Sequence, residues 1–320
     1  MSSLFFNLIK RIGCPIGMRL GTFRQYQPRT PDLPDHSTSD TLACDNPLRI
    51  ALVTPCLNQG RFLDEAIKGV LGQGVDGLRY AVVDGGSNDE SPAHIQNHAD
   101  DLHWWCSEGD DGQSHAINVG FANLLGTCAD RGEPEFGPMD LMGWLNADDR
   151  LLPGALDAVV RFFEKYPKVD VVYGHRIVLD ENGMEVGRWV TPVHHPRSTH
   201  WGHYVPQETM FWRRRVWEAA GGQVDESLHF AMDWDLFIRL EQAAMDAGHR
   251  VERIDRFLGG FTTHSAQKSV ASKEQIGRAE FATIRDRYCG RGWTTLRRRL
   301  QTYWLLTRSI GSWWRWRLSG

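Results

Sequence analysis

Carboxylates gather in this 320-residue chain at places where an apolar run stops. Leu141-Met142-Gly143-Trp144-Leu145 runs into Asn146-Ala147-Asp148-Asp149, an earlier apolar run ends in Asp84-Gly85-Gly86-Ser87-Asn88-Asp89-Glu90-Ser91, and Glu108-Gly109-Asp110-Asp111-Gly112-Gln113-Ser114 lies between them. Acids crowded at a strand end repel each other and lose hydration unless a cation or strong donors compensate, so a hard, oxygen-liganded ion such as Mg2+ or Mn2+ is a natural partner. The other reading is structural: Asp148 and Asp149 open a loop and cap a helix beginning near Pro153, and Asp111 or Ser114 caps the helix that follows them.

The elements that must position these acids alternate. Apolar strands at 49–54, 78–83, 102–106, 141–145 and 169–173 are interleaved with helical patterns at 61–72, 91–98, 114–125 and 153–166. Such alternation predicts an α/β fold with a mainly parallel sheet covered by helices on both faces. After Gly174 the pattern changes, with strands at 176–180 and 185–190 flanking a hairpin turn at Glu181-Asn182-Gly183. A strand at 207–213, a short helix at 215–220, a longer helix at 233–247 and a last strand at 251–257 complete a smaller antiparallel portion. The division that follows is an apolar and basic segment with a linker over 1–47, a catalytic-sized domain over 48–270 and a basic helical extension over 271–320.

In an open parallel sheet ligands bind beyond the carboxyl ends of the strands, so Thr54-Pro55, the Asp84 loop and the Asn146–Asp149 turn converge on one rim. A dinucleotide-binding enzyme would place G-x-G-x-x-G after the first strand, and that fingerprint is absent. The rim instead supplies acids for ribose or base donors and for a metal that would meet a diphosphate.

Strand-Thr54-Pro55, Asp84-Gly85-Gly86-Ser87-Asn88-Asp89-Glu90-Ser91, Asn146-Ala147-Asp148-Asp149 and Asp233-Trp234-Asp235-Leu236 resemble, in this order, the motifs of family 2 glycosyltransferases with the GT-A fold. The similarity spans roughly residues 48–270. It implies that Thr54, Pro55 and Asp84 lie at the nucleoside of a nucleotide-sugar, that Asp111 and Asn146 line the donor pocket, and that Asp148, with His264, meets the divalent cation and the diphosphate. Asn146 stands where the family's D-x-D signature has its first acid, and an amide brings no charge to a metal.

The resemblance also implies that Asp233 is the base that activates an acceptor hydroxyl. Asp233 shares a helix face with Leu236, Phe237 and Leu240 and so points to the apolar side, whereas Asp235 lies with Ile238, Arg239 and Gln242 as a structural or solvated acid. A helix N-terminus favours the anionic form while burial raises the pKa, a balance that suits a general base; an N-cap aspartate is the alternative. Gln207 and Trp212 are expected on the acceptor side, Trp212 stacking on sugar or packing the core. His194, His195, His200 and His203 have no metal-ligand spacing and read as loop residues.

Composition is that of a globular protein with a net charge of −4, and the six cysteines contain no C-x-x-C pair, which fits reduced thiols. The charge is uneven: from Arg285 to Gly320 nine arginines face one aspartate. Residues 293–320 interleave arginine with tryptophan, a composition suited to an anionic membrane interface, and no nucleic-acid module is recognised. The expected protein is cytoplasmic and peripheral on the inner face of the plasma membrane. It would invert a sugar's anomeric centre on transfer from a nucleoside-diphosphate sugar to a glycan or lipid-linked glycan. A sugar-phosphate nucleotidyltransferase and a non-catalytic membrane scaffold are the rival readings.

Overall fold

The computed structural model describes residues 23–32, 48–126, 140–196, 199–200, 202–265, 267, 276–289, 307–308 and 311–312. The membrane expectation for 293–320 falls almost wholly outside them. No helix among the described residues is long and apolar enough to cross a membrane.

The elements in chain order are β1 (Ile50–Cys56), α1 (Gly60–Leu71), β2 (Leu78–Asp84), α2 (Ser91–Asn97), β3 (Trp104–Ser107), α3 (Gln113–Leu124), β4 (Leu141–Trp144), β5 (Arg150–Leu151), α4 (Ala155–Lys165), β6 (Val169–Asp180) and β7 (Glu185–Trp189). A short 3-10 turn at Gln207–Thr209 then leads to β8 (Phe211–Arg213), α5 (Arg214–Ala219), α6 (Met232–Asp246), β9 (Arg250–Thr263) and α7 (Arg278–Cys289). One sheet runs in the order β3-β2-β1-β4-β8-β6-β9-β5, with β7 hairpinned onto β6. The strands β3, β2, β1 and β4 are parallel neighbours, β8 is antiparallel to both β4 and β6, and β9 runs parallel to β6. The α/β class and mainly parallel, two-faced sheet follow the sequence pattern. In β1, Ala51 and Val53 face one apolar core with Phe121, Trp212 and Phe237, while Ile50 and Leu52 face the other with Ile67, Phe163 and Leu258. Alternate residues of a strand point to opposite faces, so a run apolar throughout fits a strand buried on both. Helix α7 places Ile284 in the first of these cores.

The second half departs from expectation in particulars. The strands expected at 169–173 and 176–180 are one strand, because Gly174 is not a turn: a Cβ there would lie 2.6 Å from Leu258 Cγ, so the glycine permits close packing instead. The strand expected at 207–213 starts as a 3-10 turn after Pro206, closed by Thr209 N–H to Pro206 O at 3.1 Å, and only Phe211–Arg213 pairs. The last strand continues to Thr263, and the two-residue β5 beside it gave no apolar-run signal.

Candidate functional site

The rim of the parallel half is built by loops that satisfy their own polar groups. Asp84, fully buried, accepts from Ser87 N–H at 3.1 Å and Ser107 hydroxyl at 2.6 Å, and also binds the Ser87 hydroxyl. Asp89 takes Gly60 N–H at 2.8 Å and Ser91 N–H at 2.9 Å, satisfying donors at the starts of α1 and α2. Thr54 is equally buried, with its hydroxyl accepting from Tyr80 at 2.8 Å. Gly85 is needed because a Cβ would sit 2.8 Å from the Asp110 carboxylate. Thr54 and Asp84 therefore hold the rim from below, and Pro55 and Cys56 form its surface. Burial pushes the Cys56 thiol up to about 12, so it lines the cavity as an apolar group.

Beyond β4 the chain turns through Asn146, whose carbonyl accepts from Gln113 at 2.8 Å and whose amide reaches Asp149 at 3.2 Å. Asp148 Oδ2 lies 3.0 Å from His264 Nε2, and His264 is held from behind by the Phe62 ring at 4.6 Å. Asp149 is turned inward and accepts Thr262 N–H at 3.2 Å. Burial raises its pKa well above the carboxylate range, with the charges of Asp148 and Glu208 adding to the rise and Arg176 opposing it. Glu208 is also raised by burial, against the pull of Arg176, whose Nη2 lies 2.8 Å away. Gln207 donates to Trp144 O at 2.7 Å, tying the 3-10 turn to the end of β4.

The third wall is the start of α6. Its N-cap position is Ala231, so Asp233 lies inside the first turn and the capping alternative does not hold. The turn that leads into α6 is held by another helix: the Glu280 carboxylate of α7 accepts the backbone N–H groups of His229, Phe230 and Ala231, each at 2.8 Å. Asp235 is buried and bound by Arg239 at 2.8 Å, Arg287 at 2.6 Å and Tyr288 at 2.8 Å, a structural acid that is paired rather than solvated. Asp233 keeps a partly exposed carboxylate with Oδ2 3.5 Å from His203 Nδ1. Burial lowers the His203 pKa, which keeps the ring neutral beside it.

These walls enclose a cavity of about 680 Å³ lined by Pro55, Asn146, Asp148, Gln207 and Asp233 among the residues expected from sequence. Thr54, Asp84, Asp111, Trp212 and His264 do not line it, His264 reaching it only through Asp148. From the acidic loop it is Asp110 that faces inward, its Oδ1 taking Gly112 N–H at 2.8 Å; Asp111 is exposed outside, because Gly112, at φ +109°, turns the chain between Asp111 and α3. Trp212 is fully buried, stacked on Trp217 at 5.9 Å and edge-on to Phe121 and Trp144, so it packs the core and offers no face to a sugar. Arg176, Glu208 and Glu280 were not singled out by sequence and His203 read as a loop residue; no local spacing links them, and only the fold brings Arg176, Glu208 and His203 to one cavity while Glu280 braces its wall.

Asp148 and His264 fit a divalent cation in part. Two ligands about 2.1 Å from one ion and at right angles lie about 3.0 Å apart, which matches the Asp148–His264 separation. Among the described residues no group of three His, Cys, Asp or Glu side chains forms. Such a pair would leave positions for phosphate oxygens and water.

A profile described as glycosyl transferase family 2 matches residues 51–219, just over half of the chain. An uncharacterized glycosyltransferase of Nostoc sp. (strain PCC 7120) is 28% identical over 142 residues, covering 43% of this chain and 40% of the relative. The chain spans less than half the length of the curated relatives it matches. Among solved structures, S. aureus TarS 1–349 in complex with UDP-GlcNAc superposes with a TM-score of 0.56 at 14% identity, over 74% of this chain and 64% of that one. The mannosyltransferase PcManGT from Pyrobaculum calidifontis in complex with GDP-Man and Mn2+ gives 0.51 at 16% identity, over 99% and 83%. The shared fold is the GT-A type.

Proposed function

The chain belongs to glycosyl transferase family 2, and from that premise we propose that it moves a sugar from a nucleoside-diphosphate sugar to a hydroxyl of a glycan or lipid-linked glycan, with inversion. The observation that carries the reading is that the Asp148–His264 pair and the Asp233 carboxylate, separate in sequence and on different walls, serve one cavity. TarS was solved with UDP-GlcNAc and the mannosyltransferase with GDP-Man and Mn2+, which supports a nucleotide-sugar donor and a cation here.

Pro55, Asp110, Gln113 and Asn146 line the donor side and orient the nucleotide, with Thr54 and Asp84 shaping the rim beneath them. Asp148 and His264 would hold a divalent cation, which when bound supplies positive charge to the departing diphosphate. Asp233 takes the proton of the acceptor hydroxyl as its oxygen attacks the anomeric carbon. The bond to the diphosphate breaks with its electron pair leaving on the nucleoside diphosphate, so one displacement inverts the centre. Neutral His203 beside Asp233 adds no cation that would stabilise the carboxylate and weaken it as a base. Residues 293–320 would attach the protein to the anionic inner face of the membrane; flotation with anionic liposomes should be lost when they are deleted.

The test is a thermal-shift panel of UDP-, GDP- and dTDP-sugars with and without Mn2+ or Mg2+. A shift with one nucleotide series that needs metal and vanishes in Asp148→Ala supports the reading, and no shift with any of them removes it.

A further inference from the structure

One wall of the cavity has a different chemistry: Phe23, Trp189 and Phe261 line it, with Phe23 and Phe261 rings 5.2 Å apart. The Arg176 guanidinium lies 4.6 Å from the Phe261 ring centre and 5.4 Å from that of Trp189. Trp189 is 37% exposed, a large aromatic side chain left open to water on the wall of a cavity. Beside it are polar atoms that are buried and lack any partner: Glu208 Oε1, Gln207 Oε1 and Arg176 Nε, on side chains that line the same cavity and are more than nine-tenths buried. A buried donor or acceptor left unsatisfied is costly, so such groups at a cavity wall call for a ligand that carries hydroxyls.

The aromatic wall is completed by residues 23–32, which lie outside the matched family region. This segment runs along β7 through Gln25 N–H to Val186 O at 2.7 Å and Glu185 N–H to Arg29 O at 2.7 Å. The Glu185 carboxylate is its anchor: the side chain is inaccessible to solvent, receives Arg29 and Arg188 at 2.7 Å each, and also binds the Tyr26 hydroxyl. Gly187 lets the two chains meet, since a Cβ there would lie 2.5 Å from Phe23 O. These contacts hold Phe23 at the cavity.

We propose that Trp189, Phe23 and Phe261, with Arg176, Glu208 and Gln207 beside them, form the acceptor subsite and that its occupant is a pyranose. One C–H face of the sugar stacks on the aromatic wall, and its hydroxyls face the polar side chains of Glu208, Gln207 and Arg176 that line the same cavity. The wall is apolar on one side only, which suits a sugar, with its one apolar face and polar rim, better than a lipid chain that is apolar all round. The proposal rests on the transferase reading for its place in the reaction, and saccharide binding tests it separately.

The experiment is saturation-transfer NMR on the full chain with methyl glycosides of glucose, galactose, mannose and N-acetylglucosamine, with n-decanol as the lipid control. At least one glycoside should receive saturation on the protons of one ring face. Trp189→Ala and Phe23→Ala should each weaken it by about 5- to 10-fold, while Trp189→Phe retains most of it. Melting curves check that each variant is folded, and Trp189, more than a third exposed, tolerates replacement. The proposal is overturned if no glycoside binds, if binding survives Trp189→Ala, or if only n-decanol competes for the wall. If glycosides bind as expected and no nucleotide-sugar shifts the melting temperature, the subsite stands and the transferase reading falls.

Discussion

The polar end of the cavity and the end that carries Asp233 are held together by contacts of different reach. On the parallel side, Asp84 is satisfied by Ser87 three residues on and Asp110 by Gly112 two residues on, while Asp89 reaches Gly60 across 29 positions and Asn146 reaches Gln113 across 33; the Asp148–His264 pair, across 116, is the exception. On the other side Glu208 meets Arg176 across 32 positions, Glu280 meets the 229–231 backbone across 49 to 51, and Asp149 meets Thr262 across 113. The polar rim is thus assembled from loops that largely close on themselves, whereas the geometry around Asp233 exists only when distant elements have docked. Damage to the first should show in binding alone, and damage to the second in stability and turnover together.

The largest test of that contrast is Asp233→Asn, expected to lower turnover by about 10²- to 10⁴-fold while leaving nucleotide-sugar affinity in place; unchanged initial rates would remove the base assignment. Next is Arg176→Met, which leaves Glu208 buried without its counter-charge and should cost about 3–5 kcal/mol in urea unfolding, with Glu208→Gln in the same chain recovering part of it. Glu280→Ala strips three backbone donors of one carboxylate and should cost about 2–3 kcal/mol and reduce turnover, Glu280→Gln falling between. If either change altered only donor affinity, the contrast between the two ends would fail.

A smaller effect is set by pH. His175 Nδ1 accepts Thr191 N–H at 3.2 Å, so the proton sits on Nε2, which donates to Asp255 at 2.8 Å. Burial lowers the pKa of His175 in the folded protein below that of the unfolded chain. The unfolded chain then binds more protons, and the stability due to the neutral ring is complete above about pH 6.5 and lost as pH falls from there towards the lowered folded value. Urea midpoints at pH 7.5 and 5.5 should differ in that direction, and His175→Gln should narrow the gap. The smallest effect is expected on the parallel side: Asp111→Asn should change stability by no more than about 0.5 kcal/mol and leave donor-induced melting shifts intact, since this side chain is exposed and off the cavity.

The same difference in reach explains what could be read from the chain. β1, β2 and β4 are apolar runs buried on both faces and bounded by turn residues, and their ends carry Pro55, Asn146 and Asp148 to the cavity, where Asp148 meets the distant His264. Asp233 and Asp235 were separable because a helix fixes which neighbours share a face. Trp212 was not, since a tryptophan's place in a core or on a wall depends on Trp217, Phe121 and Trp144, which no period links to it. Arg176 reads as one more strand residue until β8 and β9 bring Glu208 and Phe261 against it. Asp110 and Asp111 are adjacent acids whose roles are decided by the backbone turn at Gly112, which composition does not reveal.

The carboxylate of Glu280 also sets an order in time. His229, Phe230 and Ala231 are synthesised 49 to 51 residues before it, a lag of roughly 3–10 s at elongation rates of about 5–20 residues per second. During that interval a nascent chain already contains β1, β2 and β4, yet the amides ahead of Asp233 have no acceptor. The backbone that leads into Asp233 is therefore completed only once synthesis has passed α7.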